Sequence, residues 1–334
     1  VSTASPARSP LTPALGDIQA PVRDRLELVA EELHRVVAAE FPLIDEVNGH
    51  LLLMKGKMFR PTLTLLASAV AGRPEPRAVT LAAVVELVHL ATLVHDDSVD
   101  HSALRRGMPT INSLFSHQVS VIMGDFLYSR AVVELVRSGD LEVLRVLADA
   151  TNAMTVGEMR QLTSLDALGF SEEDYEDLIR AKTASLLSAA CAIGALAGAR
   201  EHTAALARYG EQLGMAFQVA DDLLDYTSDE SVTGKPCGID LREHKVTLPL
   251  IHVLRGLGAA PRREVDALFD TPEPEDDQIA RVIEIVSDGG GLDYARERGL
   301  EYAHEAERAL AELPETAASA ALRDAIAYAL DRSQ

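Results

Sequence analysis

The segment "KTASLLSAACAIGALAGA" (182–199) is apolar around almost its whole circumference when wound as a helix. Such a helix cannot lie on a surface. Other elements must surround it, and its Ala, Gly and Ser residues let those neighbours come close. A second run, "VVELVHLATLVHDDSVD" (84–100), is equally apolar for most of its length and then ends in three aspartates.

Around these segments the pattern is helical nearly everywhere from Val22 onward. Leu26, Val29, Leu33, Val36 and Val37 share one face at the spacing a helix needs. Further helices are expected at about 60–71, 77–95, 115–138, 141–168, 172–199 and 201–227, with a shorter set over 245–333. "GRPEP", "RRGMP" and "GKPCG" read as loops, and no long alternating run announces a strand. The fold class is all-α. No linker divides the chain after residue 22, so residues 22–334 are expected to form one domain. Residues 1–21, opening "VSTASPARSPLTPALG", are expected to be a mobile arm.

Acidic residues exceed basic ones by 52 to 31, a net charge of −21, which argues against nucleic acid as the main partner. Cys191 and Cys237 have no metal-ligand spacing and fit a reduced, cytoplasmic protein. No segment reads as a signal peptide or membrane span, because charge or histidine breaks each apolar run before about 18 residues.

The acidic ending occurs twice. "HDDSVD" carries Asp96, Asp97 and Asp100, and "AFQVADDLLDYTSD" carries Asp221, Asp222 and Asp225. Residues four apart lie one turn apart on one helix face, so Asp96 can act with Asp100, and Asp221 with Asp225. Carboxylates suit Mg²⁺, which keeps waters and bridges to substrate phosphates rather than sitting in an all-protein cage. Taken singly, D-D-x-x-D also fits a solvated helix end. Two copies ending apolar helices favour metal, because the helix C-terminus disfavours unneutralised negative charge. Positive groups lie close by in sequence: Lys57 and Arg60, Arg105 and Arg106, Lys182 before Thr183, then Lys235 and Lys245.

The ordered set "GKMFRP", "HLATLVHDDSVDHSALRRGMPT", "GDFLYSRA", "GEMRQL", "KTASL", "FQVADDLLDYTSD", "GKPCGIDL" and "KVTLPLI" resembles the trans-isoprenyl diphosphate synthases, or polyprenyl synthetases. The resemblance runs from about Lys55 to Ile251. It implies a helical bundle around a deep cavity, usually a homodimer. It also implies head-to-tail condensation of isopentenyl diphosphate with an allylic diphosphate (dimethylallyl, geranyl, farnesyl or geranylgeranyl), with peripheral membrane contact open for product release. By resemblance, Asp96, Asp97, Asp100, Asp221, Asp222 and Asp225 bind Mg²⁺, with Mn²⁺ an alternative. Arg105, Lys182 and Lys245 match positions contacting the allylic diphosphate. Lys57, Arg60, His89 and Arg106 match the isopentenyl diphosphate pocket. Thr183, Gln218 and Lys235 match the lining of the reaction centre. His89 also fits a satisfied core histidine, and His95 is expected to be structural, bonding within the aspartate cluster. His101 and His244 depart from the family's usual residues without removing a named ligand.

Product length is expected to depend on residues upstream of the first cluster. Ala91, Thr92 and Val88 offer no aromatic floor there, and each open turn, about 5.4 Å, admits roughly one more isoprene unit. A long-chain product is the expectation, with a deeper floor at Met123 or Phe126. Ala91 also fits simple close packing. Two other functions use similar chemistry. A terpene cyclase would have little use for Lys57, Arg60 and Arg106, and usually carries an Asn/Ser/Glu-type second motif. A binding subunit of a heteromeric synthase would tend to lose aspartates.

Overall fold

The structure, a computed structural model, describes residues 13–54, 56–163, 167–227 and 237–331. It is built from helices in the order α1 (Leu15–Gln19), α2 (Arg23–Val37), α3 (Pro42–Leu53), α4 (Phe59–Ala69) and α5 (Ala78–Val99). There follow α6 (Ile111–Leu114), α7 (His117–Ser138), α8 (Leu141–Thr163), α9 (Glu172–Ile179), α10 (Ser185–Leu196) and α11 (Thr203–Thr227). The C-terminal part holds α12 (Ile239–Arg242), α13 (Leu248–Leu254), α14 (Ala259–Asp270), α15 (Asp276–Asp288), α16 (Gly291–Leu310) and α17 (Ala317–Leu330).

The two apolar segments do occupy the centre. α5 packs on α7 and α4, and α10 packs on α11 and α4. At Gly194 the helices nearly touch: a Cβ there would lie 2.1 Å from the backbone oxygen of Thr64. That proximity is why α10 is written in small residues. Two cores result. One gathers α4, α5, α7 and α10, and the other gathers the C-terminal half of α11 with α13 to α16. Because α11 joins both, its aspartates fall between them.

Several expectations need correction. Residues 15–21 are not an arm: α1 and a following 3₁₀ turn dock on the bundle, and Ile18 is 0 % exposed. Residues 1–12 lie outside the described residues. α5 runs four residues beyond the expected end, so Asp96 and Asp97 lie inside its last turn and Asp100 caps it. The expected helix 172–199 is interrupted by a π turn at Arg180–Ala184, where Ser185 N bonds back to Arg180 O. "RRGMP" is not only a loop. Leu104–Arg105 pairs with Met108–Pro109 in a two-residue antiparallel ladder. Arg106 and Gly107 both have positive φ, the pattern of a type I′ turn. Finally, Ala78–Val99 and Glu172–Leu196 are long and apolar enough to cross a membrane, contrary to expectation. In the bundle both are mostly buried against other helices.

Candidate active site

The end of α5, the π turn and the second half of α11 face a cavity of about 430 Å³. The π turn matters locally. Its extra residue rotates Lys182 and Thr183 so that both line this cavity, and such insertions recur at functional sites. Asp96 and Asp100 enter from α5, Asp222 and Gln218 from α11, Glu158 and Gln161 from α8. Asp240, Glu243 and Lys245 close the side beyond the second aspartate cluster.

Negative charge is crowded here. Burial pushes the Asp96 carboxyl up to about 6, with Glu158 and Asp100 adding to the rise and Lys182 and Arg105 opposing it. Burial also pushes Asp222 up to about 8, aided by Asp240. Asp240 itself rises to about 6 through burial and the nearby Asp225. Carboxylates held this way gain from a hard divalent cation, so the donor set fits Mg²⁺. Among the described residues no three ligating side chains converge on one point.

Three of the six expected aspartates are placed elsewhere. Asp97, 4 % exposed, points away from the cavity. Arg105 Nε donates to both its oxygens at 2.8 and 2.9 Å. Adjacent helical residues diverge by about 100°, so Asp97 cannot share the outlook of Asp96. Asp225 accepts from the backbone N–H groups of Ile239 and Asp240, each at 3.0 Å. Asp221 is exposed and, like Asp225, is not part of the cavity lining. Arg105 likewise sits on Asp97 rather than in the cavity. Lys235 lies outside the described residues.

Sequence reasoning missed the groups that hold the expected ones. Lys182 Nζ lies 2.5 Å from Glu158 and donates to Gln161 at 2.6 Å. The signal was present in "GEMRQL", where Glu158 and Gln161 are three apart on one helix face. Lys245 Nζ lies 2.6 Å from Glu243. Thr183 donates to Gln218 Oε1 at 2.7 Å, and Gln218 Nε2 donates to Asp222 at 2.8 Å.

A second charged group forms behind α5. Arg60, Arg106, His89 and the buried Glu86 act on one another electrostatically. Arg60 Nε is buried with no acceptor among the described residues. Arg106 Nη1 donates to Met54 O at 3.1 Å. Burial, then Arg60, Arg106 and Arg105, holds His89 well below its usual range, so it is a neutral hydrogen-bonding group. The backbone of Gly56 passes so close that a Cβ would lie 3.1 Å from Arg106 Nη1 and 3.3 Å from Glu86 Oε1. Lys57 is exposed, with Nζ 5.8 Å from the centre of the Tyr328 ring. Arg105 acts on both His89 and Asp96, which puts it between the two groups.

A further cavity of about 560 Å³ shares Asp96, Glu158 and Lys182 with the first and continues along Val88, Ala91 and Thr92. Its far wall is not Met123 or Phe126. Asp125 and Tyr128 face it from α7, and Met154 from α8. Residues 125 and 128 are three apart on one face of α7, whereas Met123 is buried and Phe126 packs on the first core. His95 is also outside the aspartate cluster: its Nε2 lies 3.1 Å from Val121 O and 3.5 Å from Asp125.

The chain is similar to proteins of one family throughout. The family model described as polyprenyl synthetase matches residues 41–286. The all-trans-nonaprenyl-diphosphate synthase of Rhodobacter capsulatus is 37 % identical over 95 % of this chain and 98 % of its own length. The octaprenyl diphosphate synthase of Escherichia coli is 37 % identical over 87 % of this chain and 92 % of its own. A crystal structure of polyprenyl synthase from Caulobacter crescentus, complexed with calcium and isoprenyl diphosphate, superimposes with a TM-score of 0.89. It is 32 % identical and covers 98 % of this chain and 99 % of that one. The chain belongs to the polyprenyl synthetase family, whose members are prenyltransferases.

Proposed function

We propose that the chain condenses isopentenyl diphosphate head-to-tail with an allylic diphosphate and repeats the step to a long trans-polyprenyl diphosphate, using Mg²⁺. The observation that carries this is a carboxylate and lysine cavity that shares Asp96, Glu158 and Lys182 with a second cavity running along Val88, Ala91 and Thr92. In this reading Lys182 and Lys245 bind the allylic diphosphate, and Lys182 leaves Glu158 and Gln161 to do so. Asp96, Asp100 and Asp222 would hold magnesium, which when bound supplies Lewis-acid stabilisation of the leaving diphosphate.

Cleavage of the allylic C–O bond leaves a carbocation. The oxygen dipoles of Thr183 and Gln218 stabilise it. Arg60 and Arg106 bind isopentenyl diphosphate, with neutral His89 as a hydrogen-bond partner, so its double bond attacks from the α5 side. The new C–C bond leaves a cation that loses a proton to the released diphosphate, which is why no protein base is needed. A cyclase would have no use for the Arg60 and Arg106 group.

Val121, Ile122 and Val136 on α7, with Val156, Met159 and Leu162 on α8, are exposed apolar residues. They support a homodimer with these helices at its centre.

Isopentenyl diphosphate incorporation is expected to stop on chelation of divalent metal and to return with Mg²⁺. Incorporation indifferent to a chelator contradicts the reading. Chain length is tested separately: Ala91→Phe places a ring in the wall of the second cavity and is expected to shorten the product by several isoprene units. An unchanged product distribution removes the argument for Ala91.

A further inference from the structure

Tyr175 on α9 is only 2 % exposed, and its ring belongs to the second core. Its hydroxyl is nevertheless aimed at the cavity. It donates to Asp222 Oδ2 at 2.6 Å, while Gln218 Nε2 donates to Asp222 Oδ1 at 2.8 Å. Gln218 Oε1 in turn accepts from Thr183 at 2.7 Å. Tyr175 and the Gln218 NH₂ both donate to Asp222, which leaves the Gln218 carbonyl to accept from Thr183.

The start of this chain is firmly held. Tyr294 donates to Glu172 at 2.5 Å, and Tyr302 donates to Glu176 at 2.6 Å. Arg298 pairs with Glu176 as well. These contacts tie α9 to α16, so Tyr175 has a rigid base from which to fix Asp222.

We propose that Tyr175 is a positioning residue for prenyl transfer: by holding Asp222 Oδ2 it fixes the Gln218 amide and the Thr183 hydroxyl at the reaction centre. This rests on the prenyl-transfer reading above. Tyr175 supplies orientation only and takes no part in bond making or proton transfer. The alternative is a tyrosine that merely fills the core.

Tyr175→Phe keeps the ring and removes the donor. It is expected to lower kcat about tenfold, the scale of one lost hydrogen bond to a charged group, with KM for both diphosphates within about twofold. In metal-free protein carrying nitrogen-labelled glutamine, the Gln218 side-chain amide resonances are expected to shift. Thr183→Val is expected to cost less in the Tyr175→Phe background than alone, because the two act through one chain. Unchanged kcat and unmoved Gln218 resonances overturn the proposal, as does strict additivity of the two substitutions. A lowered melting temperature with unchanged kcat assigns Tyr175 to packing alone. If wild-type protein fails to elongate any allylic diphosphate, the underlying reading fails instead, and the two failures are distinguishable.

Discussion

Asp96→Asn is expected to lower kcat by roughly 10²–10³-fold while leaving the fold intact. Asp96 lines both the charged cavity and the second one along Val88 and Ala91, so its carboxylate sits where an allylic diphosphate would meet its hydrocarbon tail. Asparagine keeps the shape and one oxygen but removes the charge that would hold metal. Burial and the neighbouring Glu158 already oppose that charge in the metal-free protein. The substitution therefore relieves repulsion, and the melting temperature should hold or rise. Steady-state rates with saturating diphosphates, beside a thermal melt, check both halves. A variant with near wild-type kcat would remove Asp96 from the site.

Arg60→Gln is expected to raise KM for isopentenyl diphosphate roughly 10²-fold, with KM for the allylic diphosphate little changed. Arg60 is half-buried, and its buried Nε has no acceptor among the described residues. A buried donor without an acceptor is costly, and an incoming diphosphate supplies the missing acceptor. Glu86 remains as a buried carboxyl and keeps Arg106 as its counter-charge, so the variant should fold. Two-substrate kinetics separate the constants. Equal effects on both would mean that the two anion groups are not distinct sites.

Much of this organisation was legible in the residues. The all-apolar segments demanded burial, and α5 and α10 supply the centre of the bundle. Asp96 and Asp100, paired by the i, i+4 rule, both line the cavity, whereas Asp221 and Asp225, paired by the same rule, do not. The outward turn of Asp97 was legible too in principle, since it follows from the same helix geometry, but matching the whole motif obscured it. Other features depended on tertiary packing. The π turn that aims Lys182 and Thr183 leaves no mark in apolar periodicity. Asp225 is taken up by the backbone of α12, which only the folded loop reveals. Tyr128 rather than Met123 or Phe126 faces the second cavity because the rotation of α7 is set by its contact with α5. Ile18 docks although its neighbourhood reads as a polar, proline-rich lead-in.

The most direct test is to incubate the protein with radiolabelled isopentenyl diphosphate, one allylic diphosphate and Mg²⁺, and to measure the chain length of the product. A linear trans-polyprenyl diphosphate longer than four isoprene units is the expected result. A cyclic hydrocarbon, a product that stops at three or four units, or no incorporation with any primer would each contradict the account.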